Sequence, residues 1–156
     1  PYEGPRRRDR KGERLMFSDD GDGLPLMGGC LCNEVSFRVR GPLRPVVACH
    51  CQQCRRMSGH FTAATAASKD GVEIEGEVRW YQSSEGARRG FCPECGSTLF
   101  WDGGGDMLSI FAGSLDKPTG LTTAWHIHCA DKGDYYEIGD GLKQYPGADD
   151  GPPKPE

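Results

Sequence analysis

Hydrophobic positions along this chain come in short alternating runs, not in helical periods. Val35, Phe37 and Val39 alternate with Ser36, Arg38 and Arg40, the pattern of a strand with one buried face. Val46-Val47-Ala48 reads as a second, shorter strand. Phe61-Thr62-Ala63-Ala64-Thr65-Ala66-Ala67 is built of small residues, and its length and flanking turns favour a buried strand over a helix. Val72/Ile74 and Val78/Trp80 alternate with charged residues, which predicts a hairpin turned at Glu75-Gly76-Glu77. Residues 98–101 and 107–112 read as strands around Gly103-Gly104-Gly105. In Trp125-His126-Ile127-His128-Cys129 the apolar residues share one face and both histidines the other, solvent-exposed one. No segment of ten residues keeps a helical period without an interrupting glycine or proline, so only a short helical turn near 52–57 is expected. The pattern predicts a mainly β, antiparallel domain over residues 24–146. A polar, partly basic tail over 1–23 precedes it, and a flexible Pro/Gly/Asp tail over 147–156 follows.

Length and charge narrow the class. A chain of 156 residues suffices for one domain with a real core. The net charge of −4 argues against a dedicated nucleic-acid binder. Residues 1–14 hold six basic residues against three acids, leaving 13 basic and 20 acidic in the remainder. Arg6-Arg7-Arg8 would suit a phosphate-binding arm, but Asp9 and Glu13 dilute it, and a solvated tail is the simpler reading. Glycine, at 23 residues, is about twice its usual share of roughly 7%, which implies many tight turns. No apolar run approaches the ~20 residues of a membrane span, and no export signal is visible.

Cysteines carry the chemistry. Eight of them without an export signal point to ligands rather than disulfides, and to a reducing, cytoplasmic setting. Seven fall into three clusters: Cys30/Cys32, Cys49/Cys51/Cys54 and Cys92/Cys95. Thiolates suit zinc, and short spacings let one turn of backbone aim several sulfurs at one ion. A structural zinc takes four ligands, so the two pairs can fill one site while the triplet makes a second with an open position. Spacing alone leaves the partition undecided, because either pair can join part of the triplet.

Gly29-Cys30-Leu31-Cys32, then Cys49-His50-Cys51-x-x-Cys54-Arg55-x-x-Ser58-Gly59, then Phe91-Cys92-x-x-Cys95-Gly96-Ser97 resemble the glutathione-dependent formaldehyde-activating enzyme family, which includes centromere protein V. Ala112-Gly113-Ser114-Leu115-Asp116, His126-Ile127 and Asp140-Gly141-Leu142 are also similar, so the resemblance covers roughly residues 26–146. It implies a β-tent type fold of packed antiparallel sheets with zinc-binding knuckles. It also implies a structural zinc on Cys30, Cys32, Cys92 and Cys95, and a catalytic zinc on Cys49, Cys51 and Cys54. The namesake reaction joins glutathione and formaldehyde to S-hydroxymethylglutathione, a carbon–sulfur lyase chemistry run as a synthase, which serves formaldehyde detoxification. Another thiol or aldehyde fits the motif equally, and the small-molecule thiol and aldehyde are the partners expected.

The remaining polar residues are read more plainly. His50, between two ligands, is expected to point away from the metal. His60 is near enough in sequence to approach the open position, as acid/base group or fourth ligand. Arg55 or Arg56 would match a glutathione carboxylate, against a simpler reading as surface charge. His126 and His128 are expected at the surface, with a place on a pocket wall as the lesser reading, Cys129 as a buried inert thiol, and Ser58-Gly59 as loop closure. The competing function is a non-catalytic, zinc-stabilised binding module whose open position is filled by His60 or by a partner.

Overall fold

In the computed structural model, residues 25–148 are described. The expected N-terminal tail and most of the expected C-terminal tail lie outside them. The chain forms β1 (Leu26–Gly29), β2 (Ser36–Val39), β3 (Val46–Cys49), α1 (Gln52–Ser58), β4 (Thr62–Ser68), β5 (Val72–Glu75), β6 (Arg79–Ser84), β7 (Ala87–Phe91), β8 (Thr98–Asp102), β9 (Met107–Phe111), β10 (Thr123–Ile127) and β11 (Lys143–Gln144). They make two sheets, a three-stranded β1-β2-β5 and an eight-stranded β11-β10-β3-β4-β9-β8-β7-β6. The mainly β content is as the residue pattern predicts, and the packing of two sheets is as the family resemblance implies.

The sheets meet over one apolar core. Val35, Phe37 and Val39 point inward from the small sheet, against Leu99, Phe100, Leu108 and Ile110 of the large one. Phe37 and Phe100 pack edge to face with ring centroids 5.0 Å apart. Both are fully buried, and full burial of a side chain of that size contributes about 1.5–3 kcal/mol.

Two features differ from the sequence expectation. The hairpin expected at Glu75-Gly76-Glu77 does not form. β5 pairs with β2 in the small sheet, and β6 pairs with β7 in the large one. The alternating pattern was right for each strand but carries no information about its partner. Gly76 makes the crossing between sheets: its φ is +91°, and a Cβ there would stand 2.0 Å from the Glu34 carbonyl oxygen. Only glycine accepts both conditions. The large sheet also contains parallel pairs, β10 with β3 and with β11, which run His126 alongside Ala48 and place Ile127 beside Cys49.

Candidate functional site

Cys30 and Cys32 follow β1 of the small sheet, and Cys92 and Cys95 follow β7 of the large one. Their sulfurs all lie within 4.8 Å of one another. Cys30 Sγ is 3.5 Å from Cys32 Sγ, which is 3.7 Å from Cys92 Sγ. Four sulfurs bound at about 2.3 Å around a tetrahedral ion stand roughly 3.8 Å apart, so this spacing suits zinc. Local bonds support the ligands. The Val35 amide donates to Cys30 Sγ at 3.2 Å. Ser97 Oγ accepts from the Leu31 amide at 3.0 Å and lies 3.2 Å from Cys95 Sγ, so it ties one knuckle to the other.

The triplet is built differently. Cys49 ends β3, Cys51 caps α1 and Cys54 sits inside it. The Cys54 amide donates to Cys51 Sγ at 3.4 Å, the role a Ser or Asp plays at other helix starts. The helix stops at Gly59, whose φ of +80° and amide bond to the Arg55 carbonyl close the last turn. Ser58 Oγ donates to the Cys54 carbonyl at 2.9 Å and accepts from the His60 amide, which is loop closure as expected. The three sulfurs again lie within 4.8 Å of one another. Both clusters could hold a metal.

Crowded thiols share charge unevenly. Hydrogen bonds from Cys49 and Cys54 hold the Cys51 thiol far below its usual range. Hydrogen bonding to Cys51 and Cys54, with burial, pushes Cys49 far above it. In the other cluster, burial raises Cys95, but bonds from Ser97 and Cys32 outweigh it and bring it to about 6. A backbone bond from Glu34 lowers Cys32, but desolvation and its neighbouring thiols push it up to about 12. Neighbouring thiols in each cluster thus shift one another in opposite directions. A cation at the centre would stabilise every thiolate at once, which is what a metal-binding donor set requires.

All three sulfur-bearing residues of the triplet line one cavity, whereas of the other cluster only Cys32 borders a hollow, with Glu34, Glu77, Pro93 and Glu94. A space of about 230 Å³ is lined by Cys49, Cys51 and Cys54 together with Thr62, Phe111, Ile127 and the side chains of Arg44 and Arg89. A second, more open hollow of about 540 Å³ adjoins through Arg89 and is walled by Gln53, Arg56, Met57 and Tyr81. Arg89 is 9% exposed. Its Nη2 donates to Gln53 Oε1 at 3.1 Å and stands 3.9 Å from Cys54 Sγ.

From the triplet loop a polar chain runs through two buried histidines to an exposed carboxylate. Tyr136 Oη is 2.5 Å from His50 Nδ1, His50 Nε2 is 2.8 Å from His126 Nδ1, and His126 Nε2 is 2.9 Å from Asp140 Oδ2. His50 is wholly buried. Burial, followed by the neighbouring His126, His60 and Lys132, lowers its pKa to about 4, so the ring is neutral.

Several expected positions are revised. His50 does point away from the sulfurs. His60 does not join the triplet; it packs against Phe61 and Tyr136, with centroids 4.5 and 4.3 Å away. His126 is 3% exposed rather than at the surface, because the face it shares is covered by the His50 ring and the 135–140 segment. The strand alternation ends at Ile127. His128 turns left-handed at φ +55°, lines the cavity, and leaves Cys129 half-buried in a 3-10 turn instead of on the apolar face. Arg56 lines the second hollow, while Arg55 lines neither cavity. Arg44, Arg89, Tyr136 and Asp140 were not foreseen. Arg89 left one trace in the sequence: it shares a strand face with Ala87 and Phe91, an odd place for a surface charge.

Fold and site together define a mainly β protein with a closed four-cysteine cluster binding its two sheets and a three-cysteine cluster open to a cavity. The model of the family described as glutathione-dependent formaldehyde-activating enzyme matches residues 25–131, and the chain belongs to that family. An uncharacterized lyase of Schizosaccharomyces pombe is 35% identical over 75 residues, 47% of this chain and 55% of that protein. The match therefore spans about half the length of that relative. The crystal structure of a Rhodobacter sphaeroides protein superposes with a TM-score of 0.51 at 17% identity, covering 76% of this chain and 98% of that one, a likeness of fold. No helix among the described residues is long and apolar enough to cross a membrane.

Proposed function

We propose that this protein is a zinc-dependent carbon–sulfur lyase acting as a synthase, joining glutathione and formaldehyde to S-hydroxymethylglutathione. The observation that carries the reading is the placement of Cys49, Cys51 and Cys54 together on the wall of a 230 Å³ cavity. Cys30, Cys32, Cys92 and Cys95 hold a structural zinc. Cys49, Cys51 and Cys54 hold the second, with one position left for substrate. When bound there, zinc supplies a coordination position that favours a thiol in its thiolate form. The cavity holds thiol and aldehyde together, which supplies orientation. Bond accounting is simple: the sulfur–carbon bond forms, the carbonyl π bond opens, and the thiol proton ends on the new hydroxyl. No oxidant or further reactant is needed. The eight cysteines stand unpaired, which supports a reducing compartment, the cytoplasm; formaldehyde detoxification is the role that goes with the reaction.

Glutathione titration of the zinc-loaded protein, followed by intrinsic fluorescence, tests this. Saturable binding that vanishes in Cys54→Ser while the fold stays intact is the expected result. Global unfolding of Cys54→Ser, or no response to millimolar glutathione, would favour the non-catalytic binding module instead.

A further inference from the structure

Joining a thiol to an aldehyde moves one proton, from sulfur to the new oxygen. A group that takes and returns that proton has to stand within reach of the reacting atoms. Among the described residues, the wall of the triplet cavity holds one imidazole, His128. The other nitrogen bases on that wall, Arg44 and Arg89, keep their protons throughout the ordinary pH range. An imidazole both takes and gives a proton near neutral pH.

The backbone brings His128 there by an uncommon route. Strand alternation along β10 would place it on the face of His126, which is buried against His50 and does not line the cavity. The strand ends instead at Ile127. That residue stands opposite Cys49, and its carbonyl accepts from the His50 amide at 3.0 Å. At the next residue the backbone turns to φ +55° and ψ +37°. His128 and Asn33 are the two non-glycine residues with positive φ among the described residues. Such backbone is uncommon outside glycine and gathers at functional sites. Glycine would make the same turn without strain; a histidine there carries a ring onto the cavity side of Ile127, beside the strand end that bears Cys49. The Asp131 carboxylate stands 3.9 Å from Nδ1. Nε2 has no partner among the described residues and is left for a ligand.

We propose that His128 is a catalytic acid–base residue of this cavity, passing the proton between the thiol sulfur and the aldehyde oxygen. The proposal rests on the thiol–aldehyde reading above and adds the group that moves its proton. Nε2 takes the thiol proton. The sulfur lone pair forms the bond to carbon, the carbonyl π electrons move to oxygen, and that oxygen takes the proton back from Nε2. The ring ends as it began, and cleavage of the adduct runs the same steps in reverse.

Rates of S-hydroxymethylglutathione formation and cleavage above the uncatalysed rate test this, in the zinc-loaded wild type and His128→Asn. Asparagine accepts the same left-handed backbone and supplies no acid–base group. His128→Asn should lose about 10²-fold or more in kcat. It should bind glutathione as wild type does, keep its zinc content and thermal midpoint, and recover part of the lost rate when free imidazole is added. An unchanged kcat beside an active wild type would overturn the proposal and leave the thiol–aldehyde reading intact. A loss that follows weakened glutathione binding and that imidazole does not restore would make His128 a structural residue and overturn it too. Wild-type protein that binds glutathione without accelerating the reaction would overturn both. A second measurement needs no variant to fold: acylation of wild-type histidines by diethyl pyrocarbonate, mapped by mass spectrometry. Glutathione should block it at His128 and not at His60, which is exposed and outside the cavity. Equal labelling of His128 with and without glutathione would overturn the proposal.

Discussion

His50 Nε2 lies 2.8 Å from His126 Nδ1, and both rings are buried directly behind the three-cysteine cluster. Direction along the chain follows from its ends. The Asp140 carboxylate can only accept, so His126 carries its proton on Nε2 and offers Nδ1 as acceptor. His50 then donates from Nε2 and accepts at Nδ1 from the Tyr136 hydroxyl. One consistent set of tautomers thus satisfies both rings. The residue between Cys49 and Cys51 is thereby anchored from behind, which orients the loop that carries the ligands.

Nitrogen NMR should find both imidazoles protonated on Nε2 at neutral pH. His126→Ala removes the acceptor for a wholly buried ring, and leaving such a donor unpaired costs about 1–3 kcal/mol. Denaturant unfolding of the zinc-loaded protein would measure it. A loss near zero would show that the chain is not holding the loop.

The two cysteine clusters should respond differently to the same substitution. Cys92 has no exposed surface and sits within the core that joins the sheets. Cys92→Ser is expected to lose cooperative unfolding along with its metal. Cys54→Ser should remain folded and keep one zinc per chain where the wild type has two, by metal analysis under reducing conditions. Equal damage from both would mean that the triplet is structural as well.

Gly76→Ala tests the crossing between sheets. The new Cβ would meet the Glu34 carbonyl and force a left-handed backbone onto alanine. A loss of about 2 kcal/mol or more in unfolding free energy is expected, with zinc content unchanged. An unaffected midpoint would mean that this corner relaxes freely.

Asp102 provides a pH signature. Lys69 at 2.8 Å, outweighing burial, together with the Gly104 amide and Arg88, lowers its carboxyl from 3.8 to about 2. A folded-state pKa below the unfolded one means stability that is present above pH 3.8 and lost as pH falls towards 2. The stability advantage of wild type over Asp102→Asn should therefore be constant near neutrality and shrink through that window. A difference that stays flat across it would remove the ion pairs as the cause.

Local chemistry was legible along the chain. Strand runs such as Val35–Phe37–Val39, the short helical turn near 52–57 and the grouping of seven cysteines follow from periodicity and ligand spacing, both properties of neighbouring residues. Partners were not legible. The alternation at Val72/Ile74 and Val78/Trp80 marks two strands but does not say that they join different sheets. A strand records which of its faces is buried, not what buries it. His126 illustrates the limit most directly, since its polar side chain reads as exposed until His50 and Asp140 are brought to it from 76 and 14 residues away. Sequence by itself determined a mainly β chain with cysteines in three groups at spacings that suit metal ligands. Tertiary structure brought together the two pairs that the family resemblance had grouped, and it alone decided that the triplet faces a cavity with Arg44 and Arg89 in its wall. Those relations depend on long-range sheet register, which no local pattern encodes.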